Sequence, residues 1–159
     1  MGVVVKWALI LVALIAVLTV FINLTGLHTN PLAATILAIG VAIILNVLTL
    51  FMALRATASQ NTYGGQLLNA LMFGLVAGVL IFACSWVFST YIFPNSISEM
   101  VAGFKEWFQQ SGLPEDQVQA QIEAMDQITA TSQARNGAIG TLATSLIAGA
   151  IIAIFKRRK

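Results

Sequence analysis

The charged residues of this 159-residue chain are segregated in a way that predicts a membrane topology. All six acidic residues lie between Pro94 and Arg135, whereas six of the eight basic residues lie beside long apolar runs. A helix needs roughly 20 mostly apolar residues to cross a bilayer. The sequence therefore predicts an all-α, polytopic membrane protein that forms one membrane domain, residues 1–159, with four transmembrane helices at about residues 3–24, 31–54, 66–93 and 137–155.

Composition supports a lipid environment and argues against a nucleic-acid partner. The chain is 58% hydrophobic and 9% charged, whereas a soluble protein is about 25% charged. Segment 94–135 contains two basic and six acidic residues, a net charge of −4, and the remainder contains six basic residues, a net charge of +6. Because these basic residues flank the spans, the pI of 9.0 indicates membrane insertion rather than nucleic-acid binding.

The basic residues also predict the orientation of the chain. Lys and Arg in short loops near span ends are retained on the cytoplasmic side of a membrane. Lys6, Arg55 and the basic tail at 156–159 fall on one face if there are four spans. The sequence thus predicts cytoplasmic termini and an external location for residues 94–135.

The external segment is predicted to form an amphipathic helical hairpin between the third and fourth spans. Ser96 and Glu99 match a capping box at the start of its first helix, and Pro114 is placed to start a second helix after Gly112. Apolar residues recur at helical spacing in both helices. The candidate surface for a partner consists of Met100, Phe104, Trp107, Phe108, Val118, Ile122 and Met125.

Small and weakly polar residues recur at four-residue spacing in the spans, which favours close helix packing. A lone amide such as Asn46 seeks a hydrogen-bond partner on another helix in lipid. The alternative is that glycine and alanine are simply common in membrane helices. The candidate packing residues are Asn46, Gly74, Gly78, Gly140, Thr141, Thr144, Ser145 and Gly149.

No catalytic or cofactor-binding constellation is predicted. His28 is the one histidine and Cys84 the one cysteine, and all carboxylates belong to the external segment. We therefore expect no enzyme activity, no cofactor and no metal site, and we interpret His28 as a solvated loop residue. The spans contain none of the intramembrane ionisable residues that ion-coupled transporters use, since Lys6 and Arg55 lie near span ends, so a proton-coupled pump is disfavoured.

Three functions remain open from these residues. The leading hypothesis is a non-enzymatic accessory or assembly protein that presents the external hairpin to another protein or to its own copy. The second is a pore or passive transporter, in which Asn46, Thr144 and Ser145 line a path in a homo-oligomer. The third is a lipid-interacting envelope protein that uses Phe104 and Trp107 at the outer interface.

Four short motifs carry a resemblance to a known family: Tyr63-Gly64-Gly65-Gln66, Tyr91-Ile92-Phe93-Pro94, Gly112-Leu113-Pro114-Glu115-Asp116-Gln117 and Ile154-Phe155-Lys156-Arg157. In these motifs the chain resembles a bacterial family of four-helix membrane proteins catalogued only as a domain of unknown function. The resemblance covers nearly the whole chain. It implies a bacterial inner-membrane location and brings no catalytic residues. Members of that family often carry a proline shortly before the last span, where this chain has Thr131-Ser132-Gln133.

Overall fold

The computed structural model describes residues 2–158, and its described residues are helical with short connections. Met1 and Lys159, the last of the four predicted tail cations, lie outside the described residues. The predictions of an all-helical fold and of four helices long and apolar enough to cross a membrane are confirmed. The helices are α1 Gly2–Leu24, α2 Pro31–Ala56, α3 Tyr63–Ile92, α4 Ser96–Gln110, α5 Glu115–Asp126 and α6 Ala130–Phe155.

A short turn at Leu27–Thr29 joins α1 to α2 and defines what we call the turn end of the bundle. Gly26 has a φ of 70°, a left-handed conformation that glycine adopts without steric cost. The side chain of Asn30 then accepts a hydrogen bond of 3.0 Å from the amide of Ala33, and Pro31 occupies the first helical position. The Asn30 side-chain cap and Pro31 together determine where α2 begins.

The four long helices form a closed ring in which α3 and α6 make the most extensive contact. α1 packs on α3 and on α2, and α2 packs on α6. The pairing of Asn46 with Ser145 and of Leu50 with Gly149 shows that α2 and α6 run parallel. We call the opposite end of the bundle, where the amide of Arg158 bonds the carbonyl of Asn61 at 2.8 Å, the tail end.

The core of the ring consists of interlocking apolar side chains from α1, α2 and α3. Helices of a membrane protein associate through such close packing, since lipid is as apolar as their side chains. The largest fully buried apolar side chains are Phe73, Leu11, Leu50 and Leu54.

The predicted capping box at Ser96 and Glu99 is wrong. The helix already includes Ser96, so Asn95 occupies the capping position, and no side chain accepts a capping hydrogen bond there. The Oε2 atom of Glu99 lies 2.9 Å from Nε2 of His28. Glu99 thus makes a long-range contact with His28 in place of the predicted local cap.

A capping box is present instead at α6. The Thr129 hydroxyl accepts from the amide of Ser132 at 3.1 Å, and the Ser132 hydroxyl accepts from the amide of Thr129 at 2.9 Å. Two free amides of the helix start are thereby satisfied. The helix therefore begins at Ala130, before the apolar run that starts at residue 137.

Candidate functional site

The helix α4 is docked on the turn end of its own bundle. Gly103 lies so close to the turn that a Cβ atom built on it would overlap the carbonyl oxygen of Thr29. Only a residue without a side chain allows this approach. The docking places α4 across Leu27–Thr29 and beside the first turn of α2.

A polar contact between His28 and Glu99 lies beside this packing contact. His28 Nε2 is 2.9 Å from Glu99 Oε2, and the side chains are 12% and 52% exposed respectively. The interpretation of His28 as a solvated loop residue is therefore wrong, because α4 covers it. The two residues are 71 positions apart, so no local pattern could have paired them.

A pocket of about 220 Å³ opens beside His28, where the end of α3 meets the start of α4. Within the described chain, the Oδ1 atom of Asn23 and the Nδ1 atom of His28 are buried without a hydrogen-bond partner. Buried polar atoms are usually satisfied by protein or ordered water. The pocket is lined by Asn23, His28, Ile92, Phe93, Pro94, Asn95, Ser96 and Glu99.

Replacing Gly103 by valine should release α4 from the turn end. The new side chain must displace the Thr29 backbone, at an overpacking cost of about 2 kcal/mol. We expect the amides of residues 96–110 to exchange hydrogen about 30-fold faster in detergent micelles, as measured by mass spectrometry. Ala102→Val, at an exposed neighbouring position, is the matched control, and equal protection in the two variants would contradict the docking role.

The helix α5 is joined to α4 by an ion pair of 2.6 Å between Lys105 and Asp126. None of its twelve residues is buried.

The predicted partner residues differ in exposure, and among them Trp107 is 49% exposed. The other six are half-buried: Met100, Phe104, Phe108, Val118, Ile122 and Met125.

Asn46 on α2 lies in the interior of the bundle, where it contacts α6 and is 4% exposed. Its amide donates to the carbonyl of Thr141 at 3.1 Å, and the Ser145 hydroxyl donates to its Oδ1 at 3.1 Å. Thr144 instead lines a groove on the surface of the bundle. The structure therefore brings Asn46 and Ser145 together and separates them from Thr144.

The predicted glycines occupy different environments. Gly74 and Gly78 on α3 face α6 closely, since a Cβ on either would lie 3.0–3.2 Å from its nearest atoms. Gly149 is closer still and faces Ala70. A Cβ on Gly140 would meet nothing within 4 Å, because this residue is exposed.

A buried polar cluster at the tail end was missed by the sequence reasoning. The Gln66 amide is fully buried and donates to the carbonyls of Leu54 and Lys156 at 2.8 and 2.6 Å. Its oxygen accepts from Thr57 and Asn69 at 2.8 and 3.2 Å. The available signal was a glutamine at the start of an apolar run, near threonine and asparagine.

Residues 2–158 contain no group of three or more His, Cys, Asp or Glu side chains placed to hold a metal ion. The polar clusters are built from amides, hydroxyls and carbonyls, which are suited to joining helices.

No curated protein and no solved structure matches the chain. A family model does match, over residues 6–158, which includes α1 from Lys6 onward, the other three long apolar helices and the two helices between α3 and α6. The chain therefore belongs to the family described as a protein of unknown function (DUF4199).

Proposed function

We propose that this protein is a non-enzymatic accessory or assembly protein of a bacterial inner membrane, and that its α4–α5 hairpin binds a protein partner on the outer face. The proposal places both termini in the cytoplasm, in accordance with the positive residues at the tail end. The hairpin then belongs to the segment of net charge −4 between residues 94 and 135.

The contrast between α4 and α5 carries this proposal. α4 is fixed to the bundle through Gly103 and Glu99, whereas the main described contacts of α5 are with α4. The half-buried residues Val118, Ile122 and Met125 recur at helical spacing along α5. A helix of this kind leaves part of an apolar stripe for a partner, as in helix-in-groove recognition.

The exposed charges of α5 indicate the chemistry of the partner. Glu115, Asp116 and Glu123 are exposed on this helix, while Asp126 is paired with Lys105. An apolar stripe flanked by carboxylates is complementary to an apolar groove with a basic rim. The same charges oppose binding to anionic lipid headgroups, so a protein surface is the favoured occupant.

Photocrosslinking in native membranes tests the proposal. A photoreactive residue at position 122 should give one discrete protein adduct, and Val118→Ser with Met125→Ser should remove it by shortening the apolar stripe. The same photoreactive residue at Ala120, which is exposed and lies on the other side of the helix, is the matched control. Lipid adducts alone, or equal adducts at both positions, would contradict a protein-binding role.

A further inference from the structure

A groove of about 400 Å³ runs along the surface of the bundle between the parallel helices α2 and α6. Its walls are apolar apart from the hydroxyl of Thr144. Ile147 and Ile151 are 67% and 57% exposed, so the groove is open to its surroundings. The lining residues are Val47, Thr144, Ile147, Ala148, Ile151 and Ile152.

The two helices that form the groove change from apolar to basic in the same direction. On α2, Phe51 and Arg55 follow Val47 at four-residue intervals, and residues so spaced share one helix face. Lys156, the first residue after α6, follows Ile152 by the same interval. The Lys156 ammonium lies 5.3 Å from the centre of the Phe51 ring, which places this cation at the tail end of the groove.

Within residues 2–158, these cations have no acidic side chain beside them at the tail end. All six Asp and Glu residues of the sequence lie between residues 94 and 135. In the described chain, the contacts between acidic and basic side chains lie in other parts of the fold, at His28–Glu99 and Lys105–Asp126. Arg55 and Lys156 are therefore available to an external anion.

The length of the groove indicates which kind of anion would bind there. From Thr144 to Lys156 α6 advances about 18 Å, at about 1.5 Å per residue. One leaflet contributes about half of the 30 Å hydrocarbon thickness. An apolar channel of one-leaflet length that ends in cations matches an acyl chain attached to a negatively charged headgroup.

We propose that the α2–α6 groove binds one acyl chain of an anionic phospholipid, whose phosphate is held by Arg55 and Lys156. A second copy of this chain is a poorer occupant, because two parallel copies would bring like charges together at the tail end. The lipid comes from the leaflet at the tail end. This inference is independent of the partner proposed for α5.

The charge requirement is tested with the full chain, by native mass spectrometry against dioleoyl phosphatidylglycerol and dioleoyl phosphatidylcholine. We expect one phosphatidylglycerol molecule to be retained at a concentration at which phosphatidylcholine is lost. Arg55→Gln with Lys156→Gln should weaken phosphatidylglycerol retention about 30-fold, since each cation near a membrane surface contributes about fivefold. Lys105→Gln with Arg135→Gln removes the same charge within residues 94–135, away from the tail end, and should change retention less than threefold.

The groove requirement is tested separately. Ala148→Phe places a ring in the groove and should abolish the retained lipid, whereas Ala143→Phe, at an exposed position of the same helix, should not. Equal retention of the two lipids, or equal loss in the two double variants, would overturn the proposal. A dimer that crosslinks through Ile147 would overturn it in favour of a second copy.

Discussion

Replacing Gly149 by alanine is expected to destabilise the bundle by about 2 kcal/mol, since the added methyl group overpacks a rigid contact. Its Cβ would overlap the Cβ of Ala70 on α3. A methyl group fixed to a helix backbone cannot rotate away, so α3 and α6 must separate. Because these helices form the most extensive pair of the fold, the change should lower the thermal midpoint in detergent micelles.

Gly140→Ala separates this packing effect from helix propensity. Alanine favours a helix by about 1 kcal/mol over glycine, and a Cβ at position 140 meets nothing within 4 Å. This control should leave stability unchanged or raise it. The double variant Gly149→Ala with Ala70→Gly removes the overlapping methyl group and should recover most of the loss. If the double variant is no more stable than Gly149→Ala alone, the contact with Ala70 is not the cause.

The sequence predicted the helical class and the four apolar helices because lipid imposes length and composition on each span separately. These constraints act locally and can be counted along the chain. Small residues that recur every four positions on α6 share one helix face, and this pattern can also be identified along the chain. It did not distinguish Gly140, which is exposed, from Gly149, which is buried, because that difference depends on where α3 lies.

The contacts between distant segments could not be predicted from periodicity. His28 and Glu99 each satisfied a local interpretation, as a loop residue and as part of a helix cap, and the docking of α4 overrides both. The close approach of Gly103 to Thr29 depends on the same docking. A glycine in the middle of α4 was the local sign of this docking.

Replacing Gln66 by leucine is expected to destabilise the tail end by about 3 kcal/mol, because buried polar groups lose their partners. The side-chain amide donates to two carbonyls, of Leu54 on α2 and Lys156 after α6. Because carbonyls only accept hydrogen bonds, leucine leaves the Lys156 carbonyl without this donor, whereas the Thr57 hydroxyl still lies 3.3 Å from the Leu54 carbonyl. The variant should lower the thermal midpoint and speed hydrogen exchange at the end of α6.

Gln60→Leu is the matched control, since Gln60 is exposed in the neighbouring loop and its replacement should change stability by less than about 0.5 kcal/mol. Asn69→Leu, which removes a donor to Gln66 while leaving both carbonyl contacts intact, should cost about 1 kcal/mol. The ordering matters more than either value, because Gln66 on α3 donates to Leu54 on α2 and to Lys156 just after α6, whereas Asn69 donates to Thr57 and Gln66. If Asn69→Leu is as damaging as Gln66→Leu, the cluster stabilises α3 locally and does not tie the three helices together.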